Sequence, residues 1–152
     1  MQSHDGSLDP ATPAMVRARC AVIHTRKAAR AVTQLFDMAL LPSGVRATQF
    51  TLLVAAHEAG ELQMTELADK LLMNRTTLTR ELKLLEKEGL VQIAVGQDRR
   101  ARTVALTPQG NAVLDRALPL WSQAQSRVEE RLGTKHWQGI LGCLNDIADA
   151  AR

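Results

Sequence analysis

The sequence has no tyrosine, two tryptophans and two phenylalanines, so aromatic residues make up only 3% of it. A core so poor in rings must be built from Leu, Ala, Val, Ile and Met, which favours packed helices. Cysteine is equally scarce. Cys20 and Cys143 make neither a disulfide framework nor a CxxC metal knuckle. The four histidines, His4, His24, His57 and His136, are scattered, and the HEAG at His57–Gly60 lacks the second histidine of HExxH. The residues therefore call for no metal and no cofactor. Cys20 has no positioned base beside it in sequence, which argues against a thiol enzyme or any other catalytic residue. There is no apolar run of bilayer-spanning length and no basic–apolar–small N-terminal signal. These absences predict a cytoplasmic chain without a membrane partner.

What is present suits a globular chain. With 152 residues, 45% apolar and 23% charged, it has room for one domain, or for one core with an added dimerisation part. The formal net charge is +3, and its distribution is uneven. Between Arg75 and Arg102 lie seven basic and four acidic residues, an excess equal to that of the whole chain. Phosphate neutralisation requires such a local excess. A solvated charged face is the plainer alternative for any cluster of this kind.

The periodicity predicts a mainly helical chain. Residues 1–12 read as a loose polar arm. Thr12-Pro13 then predicts the cap and first turn of a long helix running to about Leu40, with Val32, Leu35, Phe36, Ala39 and Leu40 as its apolar stripe. Pro42-Ser43-Gly44 ends it. Thr48 is expected to cap a second helix, to about Ala59, buried through Phe50, Leu52, Leu53, Val54 and Ala56. Thr65 is expected to open a short helix and Asn74 the next. Leu67, Ala68, Leu71 and Leu72 of the first would pack on Leu78, Leu82 and Leu85 of the second, as a helix-turn-helix. Leu90–Val95 and the TVALT run read as two short strands around a GQDRRAR turn. Thr107-Pro108 predicts a further helix to about Leu132, kinked or broken near Ala117 by Pro119. After Gly133-Thr134 a last helix aligns Trp137, Ile140, Leu141, Leu144, Ile147 and Ala148.

The helix after Asn74 carries the chemistry. Thr76, Arg80, Lys83 and Lys87 lie opposite its leucine stripe, and its first turn exposes Arg75, Thr77 and Thr79. Short hydroxyls and an arginine at the start can reach base edges, and later cations can reach phosphates. An ordinary surface helix laced by i,i+4 salt bridges is the competing reading. The turn favours the first, because Arg99, Arg100 and Arg102 repel one another unless a polyanion is near, as in a narrow minor groove. Asp98 is expected to pair with one of them and hold the loop. The resulting fold class is mainly α with a small two-stranded β-wing (α+β). It is a winged helix-turn-helix with long N- and C-terminal dimerisation helices. Residues 46–107 form the DNA-binding region, and 13–45 and 108–152 form the dimerisation region. The surplus apolar stripe of the flanking helices predicts a homodimer. Such a pair would meet two half-sites of double-stranded DNA, a pseudo-palindromic operator, about one helical turn apart. An architectural protein coating DNA is the alternative, disfavoured by the hydroxyl-rich helix start.

The run MTELADKLLMNRTTLTRELKLLEKEGLV, followed by QDRRARTVALTPQGNAVL, resembles the MarR family of winged helix-turn-helix transcriptional regulators. The family's L-x-x-x-G-L-V falls at Leu85–Val91, its D-x-R wing at Asp98-Arg99-Arg100, and its L-T-x-x-G at Leu106–Gly110. The resemblance extends from about Val16 to Asp149. It implies a recognition helix in the major groove, a wing arginine near the minor groove, and a dimer that represses genes until an inducer or oxidant releases it. Some relatives sense peroxides through a cysteine near the start of the first helix, where Cys20 stands beside Arg17, Arg19 and His24. The tyrosines that support the thiolate in that subgroup are absent here. Cys143 would be a resolving thiol, as in two-cysteine relatives. The other release signal the resemblance implies is a small aromatic acid or phenol, bound between the dimer arms and the winged helix.

Overall fold

The computed structural model describes residues 9, 11–96 and 101–151. Along the chain these form α1 (Ala11–Arg19), α2 (Ala21–Leu40), a 3₁₀ turn (Leu41–Ser43), α3 (Ala47–Ala59), β1 (Glu61–Gln63), α4 (Met64–Leu71) and α5 (Arg75–Lys87). Then follow β2 (Val91–Val95), β3 (Arg102–Leu106), α6 (Pro108–Leu132) and α7 (Thr134–Ala150). The chain divides into two compact units, Met1–Gln34 and Leu35–Arg152.

In the first unit the predicted single helix is two. The break falls at Cys20, and α1 starts before Thr12-Pro13, not at it. The cap is Asp9, whose Oδ1 accepts the Ala11 N–H at 3.1 Å, so Thr12 and Pro13 sit inside the first turn. No residue of α1 is buried.

In the second unit, α2 ends as expected at Leu40, and Gly44 takes a left-handed conformation (φ 84°) after the 3₁₀ turn. The start of α3 lies at Ala47. Its capping oxygen is Asp37 Oδ1, which accepts the Ala47 N–H at 2.7 Å, and Gln49 Oε1 accepts the Arg46 N–H. Thr48 is therefore not the cap. Nor is Thr65 for α4, which begins one residue earlier, with Glu66 accepting the N–H of Gln63. Asn74 and Thr107 do act as predicted, accepting from the N–H groups of Thr76 and Gly110 at 2.8 and 3.0 Å. α6 continues through Pro119, so of the kink or break expected near Ala117 the break does not occur.

The core of this unit is aliphatic. Leu53, Leu67, Leu82, Leu85 and Val104 are wholly buried and Leu52 and Leu78 nearly so, each contributing roughly 1.5–3 kcal/mol of apolar transfer. Leu71 packs only at the edge, and Leu72 is 55% exposed, correcting its expected place in the helix-turn-helix core. It occupies a left-handed position (φ 49°) that closes α4 and turns the chain toward α5.

The sheet has three strands, not two, in the order β1-β3-β2, all antiparallel. β1 lays Leu62 opposite Val104, so the ribbon is anchored beside α4. No residue of α7 is buried, leaving Leu141, Leu144 and Ile147 more than two-fifths exposed. Among the described residues no helix is long and apolar enough to cross a membrane.

Candidate nucleic-acid interface

α5 is placed by its leucines. Leu78, Leu82 and Leu85 turn inward, which forces the residues between them to the opposite side. Its N-terminus is defined by Asn74, and its first turn contains no acidic residue. The positive end of the helix dipole is therefore left open to anions. Arg75, Thr76, Thr79, Arg80 and Lys83 together line one shallow open depression of about 490 Å³. Lys87 is exposed farther along the same helix, whereas Thr77 is half-buried and lies outside that depression.

A smaller notch of about 80 Å³ adjoins it, lined by Met64 and Thr65 of α4 with Arg75, Leu78 and Thr79 of α5. Thr65 is thus a polar group at the edge of the surface, a role hidden in sequence by its resemblance to a helix cap. Arg80 Nη2 lies 3.3 Å from Glu81 Oε1. This ion pair joins neighbours, rather than residues at the i,i+4 spacing of a salt-bridged surface helix.

The hairpin stands directly after α5. Glu86 Oε1 accepts the Ile93 N–H at 3.2 Å, tying helix to ribbon. β2 and β3 stay in register to Val95 opposite Arg102, and the Gly96 N–H donates to the Ala101 carbonyl at 2.9 Å. Arg102 is exposed at this end of the ribbon. Asp98, Arg99 and Arg100, the rest of the predicted wing tip, lie outside the described residues.

The two sequence motifs around Gly89 and Gly110 meet in space. The Thr107 hydroxyl donates to the Gly89 carbonyl at 2.6 Å and accepts from Gly110, while the Thr107 N–H donates to the Leu90 carbonyl. The Gln109 side-chain amide donates to the Glu88 carbonyl. The end of α5, the start of β2 and the start of α6 are thereby fastened at one point. Of the two thiols, Cys20 is half-buried at the α1–α2 break, and Cys143 is exposed on α7 beside Lys135, His136 and Ile140.

Comparison with known proteins agrees with this arrangement. The sequence model of the MarR family matches residues 43–101. The chain is 38% identical to the Mycobacterium tuberculosis transcriptional regulator MosR, solved in complex with DNA, with a TM-score of 0.78 over 88% of this chain and 99% of that one. It is 27% identical to the transcriptional repressor CouR, solved on a 23-mer DNA duplex, with a TM-score of 0.79 over 88% of this chain and 95% of that one. A helix-turn-helix transcriptional regulator of Bacillus cereus is 41% identical over 93 residues. That match spans 61% of this chain and 62% of the relative's length. A winged helix with MosR-like identity along its length, and a family match centred on the helix-turn-helix, define the assignment: this chain belongs to the MarR family of transcriptional regulators, not to a family of enzymes.

Proposed function

We propose that the chain is a homodimeric, sequence-specific DNA-binding repressor, with α5 as its major-groove recognition helix and the β2–β3 hairpin as a wing. The observation that carries this reading is the convergence of Arg75, Thr76, Thr79, Arg80 and Lys83 on one open surface of a capped helix. Arginine can pair bidentately with guanine, threonine methyls suit thymine, and Lys83 is placed for a phosphate. Thr77, half-buried beside that surface, is assigned to DNA from sequence, as are Asp98, Arg99 and Arg100 at the wing tip, and Arg102 supplies an exposed cation on the ribbon. Residues 46–107 serve as the DNA-binding region, and 13–45 and 108–152 as the dimerisation region. The exposed leucines of α7 support the pairing. The DNA-bound structures of MosR and CouR support the partner.

The test is titration of the full chain against duplexes selected from a randomised library and against scrambled controls, at several salt concentrations. A steep salt slope with a selected-to-scrambled preference of about a thousandfold or more is expected. Equal binding to both duplexes overturns the reading. Release is assigned either to a small aromatic ligand or to oxidation of Cys20 with Cys143 as its resolving partner. Peroxide release that survives Cys20→Ser eliminates the thiol route.

A further inference from the structure

Arg80 has no acidic neighbour at the spacings where helical side chains meet. The residues three and four positions away are Thr76, Thr77, Lys83 and Leu84. Its guanidinium turns sideways instead, to the adjacent Glu81. The two side chains differ in exposure, 69% for Arg80 and 18% for Glu81. Glu81 follows Leu78 by three residues and precedes Leu85 by four, and both leucines are buried, so its stem borders the inner stripe of α5. A side chain held there keeps little rotamer freedom, whereas an exposed arginine loses much of its own on binding. The ion pair therefore joins a largely buried carboxylate to an exposed guanidinium. Glu81 does not line the depression that Arg80 helps to form, so any effect it has on base choice there passes through Arg80.

Building on the reading of α5 as a base-reading helix, we infer that Glu81 is a positioning residue that sets the orientation of Arg80 for base readout. Arginine carries five N–H donors in a rigid fork, and engaging one Nη2 hydrogen leaves enough for a bidentate pair with guanine O6 and N7. Steering toward Glu81 also keeps the guanidinium from settling on the phosphates that Lys83 serves. The carboxylate itself repels the DNA backbone. Glu81 thus lowers affinity for every duplex while sharpening the choice among them.

The experiment uses the full chain, a duplex that the wild-type protein selects from a randomised library, and a scrambled duplex of equal length. Dissociation constants are measured for wild type, Glu81→Ala, Arg80→Ala and the double variant at one salt concentration. Glu81→Ala is expected to tighten binding to the scrambled duplex and to lower the selected-to-scrambled ratio roughly tenfold. The double variant is expected to show the same ratio as Arg80→Ala alone, because Glu81 affects the choice of sequence only through Arg80. Glu81→Gln, which keeps size and an acceptor oxygen, gives a second reading of the ratio should the alanine variant melt early. An equal gain on both duplexes, with the ratio unchanged, makes Glu81 a bare repulsive charge and overturns the inference. A further fall in the ratio when Arg80 is already absent makes its role structural and overturns it too. Wild-type protein without any preference removes the parent reading and this one with it, whereas a preference left undiminished by Glu81→Ala removes this one alone.

Discussion

Gly110 approaches the carbonyl oxygen of Leu90 so closely that a Cβ on it would fall well inside van der Waals contact, and 3.0 Å from Leu106 Cδ2. This glycine is required for space, not for an unusual backbone angle. Gly110→Ala must push the start of α6 away from the turn that follows α5. A loss of about 1–3 kcal/mol is expected, read as a lower midpoint in urea or thermal unfolding. An unchanged midpoint shows that the fastening yields more easily than its geometry implies.

Asn74 supplies the side-chain cap of α5 through the Thr76 N–H. Asn74→Ala is expected to cost about 1 kcal/mol and to fray the turn that bears Arg75 and Thr76. Operator affinity then falls by roughly fivefold, and Asn74→Ser restores most of it because serine caps nearly as well. Failure of serine to restore binding points to a direct contact by Asn74 instead.

Arg80 and Arg102 are expected to fail in different ways. Arg80→Ala relaxes operator choice, by about 1–3 kcal/mol of discrimination. Arg102→Ala weakens selected and scrambled duplexes alike and lowers the salt slope by about one. Titrations of both variants at graded salt separate the two, and identical profiles contradict the division between helix and wing.

Leu62 tests the third strand. It is buried opposite the wholly buried Val104, although it belongs to a strand of only three residues. Leu62→Ala is expected to cost about 2–5 kcal/mol. A ribbon standing alone would scarcely notice the change, so a shift under about 0.5 kcal/mol argues that β1 is ornamental.

Leu144 lies nearly half exposed on a helix none of whose residues is fully buried. Leu144→Lys is expected to leave the helical circular dichroism intact and to shift sedimentation from dimer toward monomer. A dimer that persists places the interface elsewhere.

The centre of this fold was more legible in sequence than its margins, because different ranges of interaction set them. Asn74 and Thr107 cap helices with their own side chains, so a local pattern finds them. Thr12, Thr48 and Thr65 carry the same local signal, yet other side chains act in their place: Asp9, Asp37 and Glu66. Asp37 is ten residues from the N–H it accepts, a distance no cap rule spans. The break at Cys20 has neither glycine nor proline to announce it. β1 is three residues long and becomes a strand only through pairing with β3, forty residues away. At the site, helical spacing correctly grouped Thr76, Arg80 and Lys83, since α5 is regular. It could not show that Thr65 borders them from α4, or that Arg80 turns to its immediate neighbour.

The strand order has one more consequence. A ribbon of two strands offers two open edges, each a template on which an unfolding neighbour could add a strand. Here β3, the inner strand, is covered on both sides, by β2 along its whole length and by β1 across its middle three residues. Beyond β1 the chain passes straight into α4, leaving an outer edge of only three residues, and the other outer edge, β2, has its Ile93 N–H taken by Glu86 Oε1. One edge is short and the other partly occupied by a side chain, so the sheet offers a reduced template to a neighbour.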